Sequence, residues 1–300
     1  MTPARLNLRG VFPPVTTPFA ADGSVDLTAL AVNIEKYNRI GLSGYVVVGS
    51  TGESVYLREE EKLRLLEAAR EAAAANKILI AGTGCEATQE TIEFTRRAAA
   101  AGYQAALVRT PAYFKAQMTD AVLEGHFRAV ADASPIPIIL YSVPQFTGLA
   151  MEASLVARLA EHPNIAGIKE SSGNVQRVAA ILHLVPAEFQ VLIGSATTLY
   201  PSLCLGARGA VLAMACALPE LCVEVFEAFQ KGDHERARAL QETLHEPTVT
   251  VGARYGVAGL KFAMELRGYV GGAPRAPLQP LDPEAQAEVR RIFRALEASN

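Results

Sequence analysis

Short apolar runs alternate with segments of helical periodicity along most of this chain. Gly10–Pro18 precedes a helical pattern over Leu27–Ile40, Gly44–Ser50 precedes Glu59–Ala75, and Lys77–Gly84 precedes Thr88–Ala101. The alternation continues through Gln104–Pro111 and Asp120–Ala133, Ile136–Pro144 and Glu152–Glu161, Ile165–Ser171 and Val175–Leu184, Phe189–Ala196 and Leu199–Leu205, then Ala207–Ala215 and Glu220–Gln230. Unbroken apolar runs of this length, each followed by a period of 3.6, predict buried parallel strands joined by helices. Asp26, Thr88 and Asn174 stand where helix N-caps are expected, and Gly41, Gly102 and Gly206 where helices should stop. Eight such units predict an α/β fold, a (β/α)8 TIM barrel over residues 1–225. From about Phe226 the pattern is helical only, with Asp233–Leu244, Gly259–Leu266 and Pro283–Ala298 around a Pro/Gly-rich stretch at 271–283. Residues 226–300 are therefore expected to form a C-terminal helical appendage without chemistry of its own.

Composition narrows the function classes. At 300 residues and 50% hydrophobic content the chain can bury a large core. Its net charge of −3, with 28 basic residues scattered through helices, argues against nucleic acid as a partner. Cys85, Cys204, Cys216 and Cys222 form no C-x-x-C pair, and His126, His162, His183, His234 and His245 lie mostly in or beside helical patterns. No metal cluster is expected, and free thiols fit a reducing cytoplasm. With neither a secretory pattern nor a membrane-span pattern, the expectation is a soluble, cytoplasmic protein that binds no membrane.

In a (β/α)8 barrel the chemistry sits where strands end. Of seven lysines, only Lys169 directly terminates an apolar run, Ile165-Ala166-Gly167-Ile168. A desolvated amine there is a candidate nucleophile toward a carbonyl, although a strand-end lysine can also snorkel to solvent or pair with Glu170. Tyr141 ends a second run, Pro137-Ile138-Ile139-Leu140, and taken alone it reads equally as a core aromatic. Together they suggest Schiff-base chemistry with a phenol moving protons. Gly49-Ser50-Thr51-Gly52-Glu53 follows a strand, so its N–H groups and two hydroxyls can cradle a carboxylate, or serve simply as a turn. Tyr113, after Thr110-Pro111, is expected exposed at the rim, as an interface residue or a catalyst.

These segments, with Tyr141-Ser142-Val143-Pro144, Gly167-Ile168-Lys169-Glu170 and Gly194-Ser195-Ala196, resemble the dihydrodipicolinate synthase / N-acetylneuraminate lyase family over nearly the whole chain. The resemblance implies a class I, metal-independent pyruvate aldolase without cofactor. It implies Lys169 as the Schiff-base lysine, Tyr141 as the acid/base phenol, and Ser50 and Thr51 as holders of the pyruvate carboxylate. It further implies Tyr113 as a proton relay reaching a neighbouring subunit's site, within a homotetramer built as a dimer of dimers. A phenol is a poor base near neutrality, so a hydrogen-bonded set Tyr141–Thr51–Tyr113 is expected to carry the proton. Gly194, Ser142, Phe146 and Ser171, with Ser172, are expected to shape the substrate pocket.

Within the family, the runs Thr147-Gly148-Leu149, His162-Pro163-Asn164-Ile165, Phe189-Gln190-Val191-Leu192 and Arg275-Ala276-Pro277-Leu278 resemble the 4-hydroxy-2-oxoglutarate aldolases. Where the synthases carry an arginine after Tyr-x-Val-Pro stands Phe146, and where they carry an asparagine stands Ser142. The expected reaction is therefore cleavage of 4-hydroxy-2-oxoglutarate to pyruvate and glyoxylate, with condensation of pyruvate and aspartate semialdehyde as the alternative. A pyruvate- or sugar-acid-binding protein is the non-enzymatic alternative, and turnover of a 2-oxo acid separates it. A metal-dependent aldolase would need His and carboxylate ligands at strand ends, where this sequence has none.

Overall fold

The computed structural model describes residues 6–298. Eight parallel strands run β1 (Gly10–Phe12), β2 (Gly44–Val47), β3 (Ile78–Gly82), β4 (Ala105–Arg109), β5 (Ile138–Ser142), β6 (Ile165–Glu170), β7 (Gln190–Ile193) and β8 (Gly209–Val211). They pair in the order β1-β8-β7-β6-β5-β4-β3-β2. A parallel bridge between Pro14 and Val46 joins the two ends and closes the barrel. The helices are α1 (Leu27–Tyr37), α2 (Glu59–Ala72), α3 (Thr88–Ala100), α4 (Asp120–Ala133), α5 (Pro144–Thr147), α6 (Ala153–Ala160), α7 (Val175–Leu184), α8 (Leu199–Leu205), α9 (Pro219–Gln230), α10 (His234–Pro247), α11 (Gly256–Leu266) and α12 (Pro283–Ala298). The (β/α)8 architecture is the one the alternation predicts. The eighth barrel helix, α9, runs through residue 225 without a break.

Two apolar layers explain why the strands lack polar alternation. Phe12, Val46, Ile80, Leu107, Ile139 and Leu192 fill the barrel, while Val47, Ala81, Val108, Leu140 and Ile168 pack outward against the helices. Each fully buried aliphatic or aromatic side chain contributes about 1.5–3 kcal/mol, so both faces favour closure. Asp26 accepts from Ala29 N and Asn174 from Arg177 N, as their cap positions predict. Thr88 does not cap. It is the first residue of α3, and its hydroxyl lies 2.9 Å from His126 Nδ1 instead.

The burial of His126 has a pH consequence. Burial pushes the His126 imidazolium down from its ordinary 6.5 to about 4. The unfolded chain therefore binds more protons than the fold between those values. The stability involved is present above about pH 6.5 and is lost as pH falls toward 4. Replacing His126 with Gln is expected to flatten the fall of Tm across that window. A wild-type slope retained in the variant would assign the acid sensitivity to other groups.

Candidate active site

The end of β2 is strained. Val48 adopts φ 59° and Glu53 φ 57°, left-handed backbone that a β-branched valine rarely takes. Gly82 accommodates it: a Cβ there would fall 2.4 Å from Val48 O. The loop Gly49-Ser50-Thr51-Gly52-Glu53 then folds tightly, with Gly52 N donating to Gly49 O and Glu53 N to Ser50 O, both at 3.0 Å. From the loop after β1, Thr17 Oγ1 donates to Gly52 O at 2.6 Å. Ser50 and Tyr141 line one cleft with Gly49, Gly84 and Arg109.

Register brings the two central side chains together. Tyr141 of β5 pairs with Lys169 of β6, and Arg109 of β4 pairs with Tyr141. Lys169 Nζ lies 4.2 Å from the centroid of the Tyr141 ring, and both residues are 5% exposed. The lysine neither snorkels to solvent nor pairs with Glu170. Glu170 turns the other way, 3.3 Å from Arg177 Nε, and accepts from Ser172 Oγ at 2.8 Å. Burial raises its carboxyl above the usual range.

The remaining expected residues separate by position. Ser171 and Gly194 meet across β6 and β7, and a Cβ at Gly194 would fall 1.7 Å from Ser171 Oγ. Ser142 is fully buried with an unpartnered hydroxyl, on the strand face opposite to Tyr141. Phe146, in α5, is 73% exposed, and Gln145 beside it donates to Ser171 O. Thr51 is partly buried beside Ser50. Tyr113 is 81% exposed and stacks edge-on against Phe114 at 5.1 Å. Among the described residues no hydrogen bond links Tyr141, Thr51 and Tyr113 within one chain.

Sequence reasoning passed over Arg109. Alternation with Ala105 and Leu107 turns it inward, and its guanidinium meets Glu86 at 2.6 Å. Glu86 in turn accepts from Ala112 N at 2.8 Å and Tyr113 N at 2.9 Å, so it sets the loop that carries Tyr113. The available signal was a cation at a strand end beside a Thr-Pro turn. Among the described residues no group of three or more His, Cys, Asp or Glu is arranged to hold a metal ion, and no helix is long and apolar enough to cross a membrane.

A parallel barrel that buries a lysine amine against a tyrosine at its mouth, beside a loop of hydroxyls and N–H groups, defines a candidate enzyme for carbonyl substrates. The chain matches the dihydrodipicolinate synthetase family over residues 7–296 and belongs to it, as a class I carbon–carbon lyase or synthase. It is 38% identical to 4-hydroxy-tetrahydrodipicolinate synthase of an Exiguobacterium species, over 97% of this chain and 98% of that one. It is 39% identical to the synthase of Methanothrix thermoacetophila, over 95% and 96%. The crystal structure of YagE, a prophage protein of the family from E. coli K12 in complex with pyruvate, superposes with TM-score 0.91 at 30% identity, covering 97% of this chain and 99% of that one.

Proposed function

We propose that the protein forms a Schiff base between Lys169 and the 2-oxo carbon of pyruvate, and uses it to make or break the carbon–carbon bond at C3. The observation that carries this is the Lys169 amine held over Tyr141 beside the Ser50–Thr51 loop. YagE's pyruvate complex supports the choice of 2-oxo acid. Attack by the amine and loss of water give an iminium that withdraws electrons from C3. Loss of a C3 proton gives an enamine, which adds to an aldehyde carbonyl as that oxygen is protonated; water then releases the product and frees Lys169. Cleavage is the same path reversed. Tyr141 moves the protons, Ser50 and Thr51 hold the pyruvate carboxylate, and Tyr113 completes a neighbouring copy's site in a homotetramer. The exposure of Tyr113 supports that last role, and sedimentation of wild type tests the tetramer.

For the aldehyde, the relatives favour condensation with aspartate semialdehyde. Relatives from Exiguobacterium, Methanothrix thermoacetophila and Archaeoglobus fulgidus, 36% to 39% identical over 95% to 97% of this chain, bear the synthase name. Their names support the synthase reaction over the cleavage that the sequence suggested. Phe146 favours the second reading, cleavage of 4-hydroxy-2-oxoglutarate, because an exposed phenyl ring offers the semialdehyde carboxylate no charge partner. The ratio of kcat/KM for the two reactions on one preparation decides between them. Under either reading Phe146→Arg is expected to raise kcat/KM for the semialdehyde by about three- to tenfold, with pyruvate KM unchanged. No gain would show that residue 146 does not reach the aldehyde half.

A further inference from the structure

The C-terminal region is tied to the loop after β2 through one buried ion pair. Lys261, inside α11, and Glu53, the last residue of the Gly49–Glu53 loop, are each 1% exposed at the side chain, with Nζ and Oε1 2.6 Å apart. Each partner is fastened again. Lys261 Nζ donates to Ala273 O at 3.0 Å and lies 4.5 Å from the centroid of Phe19, while Arg275 N donates to Glu53 Oε2 at 2.7 Å. The Arg275 guanidinium grips both oxygens of Glu61 at 2.7 Å and donates to Tyr56 O at 3.0 Å. Gly271 lets this segment lie against α11, since a Cβ there would fall 2.0 Å from Lys261 O.

The loop being held is the one whose Ser50 lines a cleft with Tyr141, the residue against which the Lys169 amine rests. Glu53 N donates to Ser50 O, so the residue bearing the carboxylate also sets the backbone of Ser50 and Thr51. Glu53 does this in left-handed backbone, which a non-glycine residue keeps only where its surroundings hold it. A buried charge pair of this kind is poor at adding net stability but specific about geometry. We infer that Glu53 and Lys261, backed by the 273–275 segment, are positioning residues that set Ser50 and Thr51 for the substrate carboxylate. The helical C-terminal region is thereby part of the site. The inference rests on the carboxylate-holding role proposed above for those two residues.

The test separates positioning from mere stability. Lys261→Met leaves the Glu53 carboxylate buried without its partner and is expected to lower Tm strongly. Adding Glu53→Gln removes the orphaned charge, so the double variant is expected to regain most of the lost Tm. Its pyruvate KM should nevertheless stay raised roughly tenfold, with kcat at saturating pyruvate changed less than about threefold, because a misplaced carboxylate holder weakens binding before it affects proton transfer. A double variant with wild-type KM would overturn the inference. If neither variant folds, Arg275→Gln, which loosens the segment from Glu61 and keeps its backbone donor, should still raise pyruvate KM about threefold, and an unchanged KM there counts equally against it. Wild type and Ser50→Ala serve as reference. Should Ser50→Ala leave pyruvate KM unchanged, the carboxylate-holding role itself fails; should it raise KM while the lock variants do not, only the positioning role fails.

Discussion

Pyruvate followed by borohydride is expected to label the wild-type protein irreversibly at Lys169, and Lys169→Ala is expected to lose both the label and turnover, by more than about 10⁴-fold. Reduction converts the imine to a secondary amine that hydrolysis cannot reverse, so peptide mapping reads out which lysine attacked. The result is sharp because the chain has a second buried lysine. Burial holds the Lys261 ammonium below the usual lysine range, a condition that by itself also favours a nucleophilic amine. Geometry distinguishes the two. Lys261 is saturated by Glu53 and Ala273 O outside the barrel interior, whereas Lys169 stands over Tyr141 among the inward-facing residues. Label on Lys261, or turnover without label on Lys169, would remove the Schiff-base assignment. Label without turnover of any 2-oxo acid would instead favour a binding protein.

Much of this site was legible because strand ends are legible. Apolar runs buried on both faces stop abruptly at their last residue, so Tyr141 and Lys169 stood out as polar groups attached to the ends of Ile138–Leu140 and Ile165–Ile168. The (β/α)8 order followed from the same runs, although β1 proved to be only Gly10–Phe12 where the apolar stretch extended to Pro18. Hydrophobicity marks what is buried, and residues 13–18 are buried although beyond Phe12 the pairing shrinks to the single bridge from Pro14 to Val46. Face was less legible than place. Ser142 and Tyr141 are neighbours in sequence, yet a period of two sends Ser142 to the outer layer, and only the register with β6 fixes which of the two meets Lys169.

Long-range pairings left no local mark at all. The Lys261–Glu53 contact joins residues from opposite ends of the chain, and in sequence Lys261 looks like an ordinary helical lysine between Leu260 and Phe262. The expectation of an appendage without chemistry came from that silence. The wide turn Thr248–Arg254, a π-helix between α10 and α11, was equally hidden, since a run of Thr, Val, Gly and Ala suits several backbone forms. Thr88 shows the converse error: its type and position both suggested a cap, and a histidine 38 residues away took its hydroxyl.

Tyr141→Phe separates the two halves of the proposed chemistry. The ring is buried among Ile139, Leu192 and other inward-facing side chains and serves as the surface on which Lys169 Nζ rests, and phenylalanine keeps both functions. Folding is therefore expected to change little, and borohydride trapping of the pyruvate imine should remain substantial. What is lost is the hydroxyl proposed to carry a proton to and from the reacting carbon and oxygen, so turnover should fall by roughly 10²–10⁴-fold, the scale for a positioned acid/base. Proton transfer is demanded more than once per cycle, at enamine formation and at the aldehyde oxygen, which places the expected loss in kcat rather than in pyruvate KM. A variant that traps imine as fast as wild type yet turns over slowly would match that account. One with near-full turnover would mean that another group at the mouth, with Tyr113 of a neighbouring copy the first to examine, moves the proton unaided.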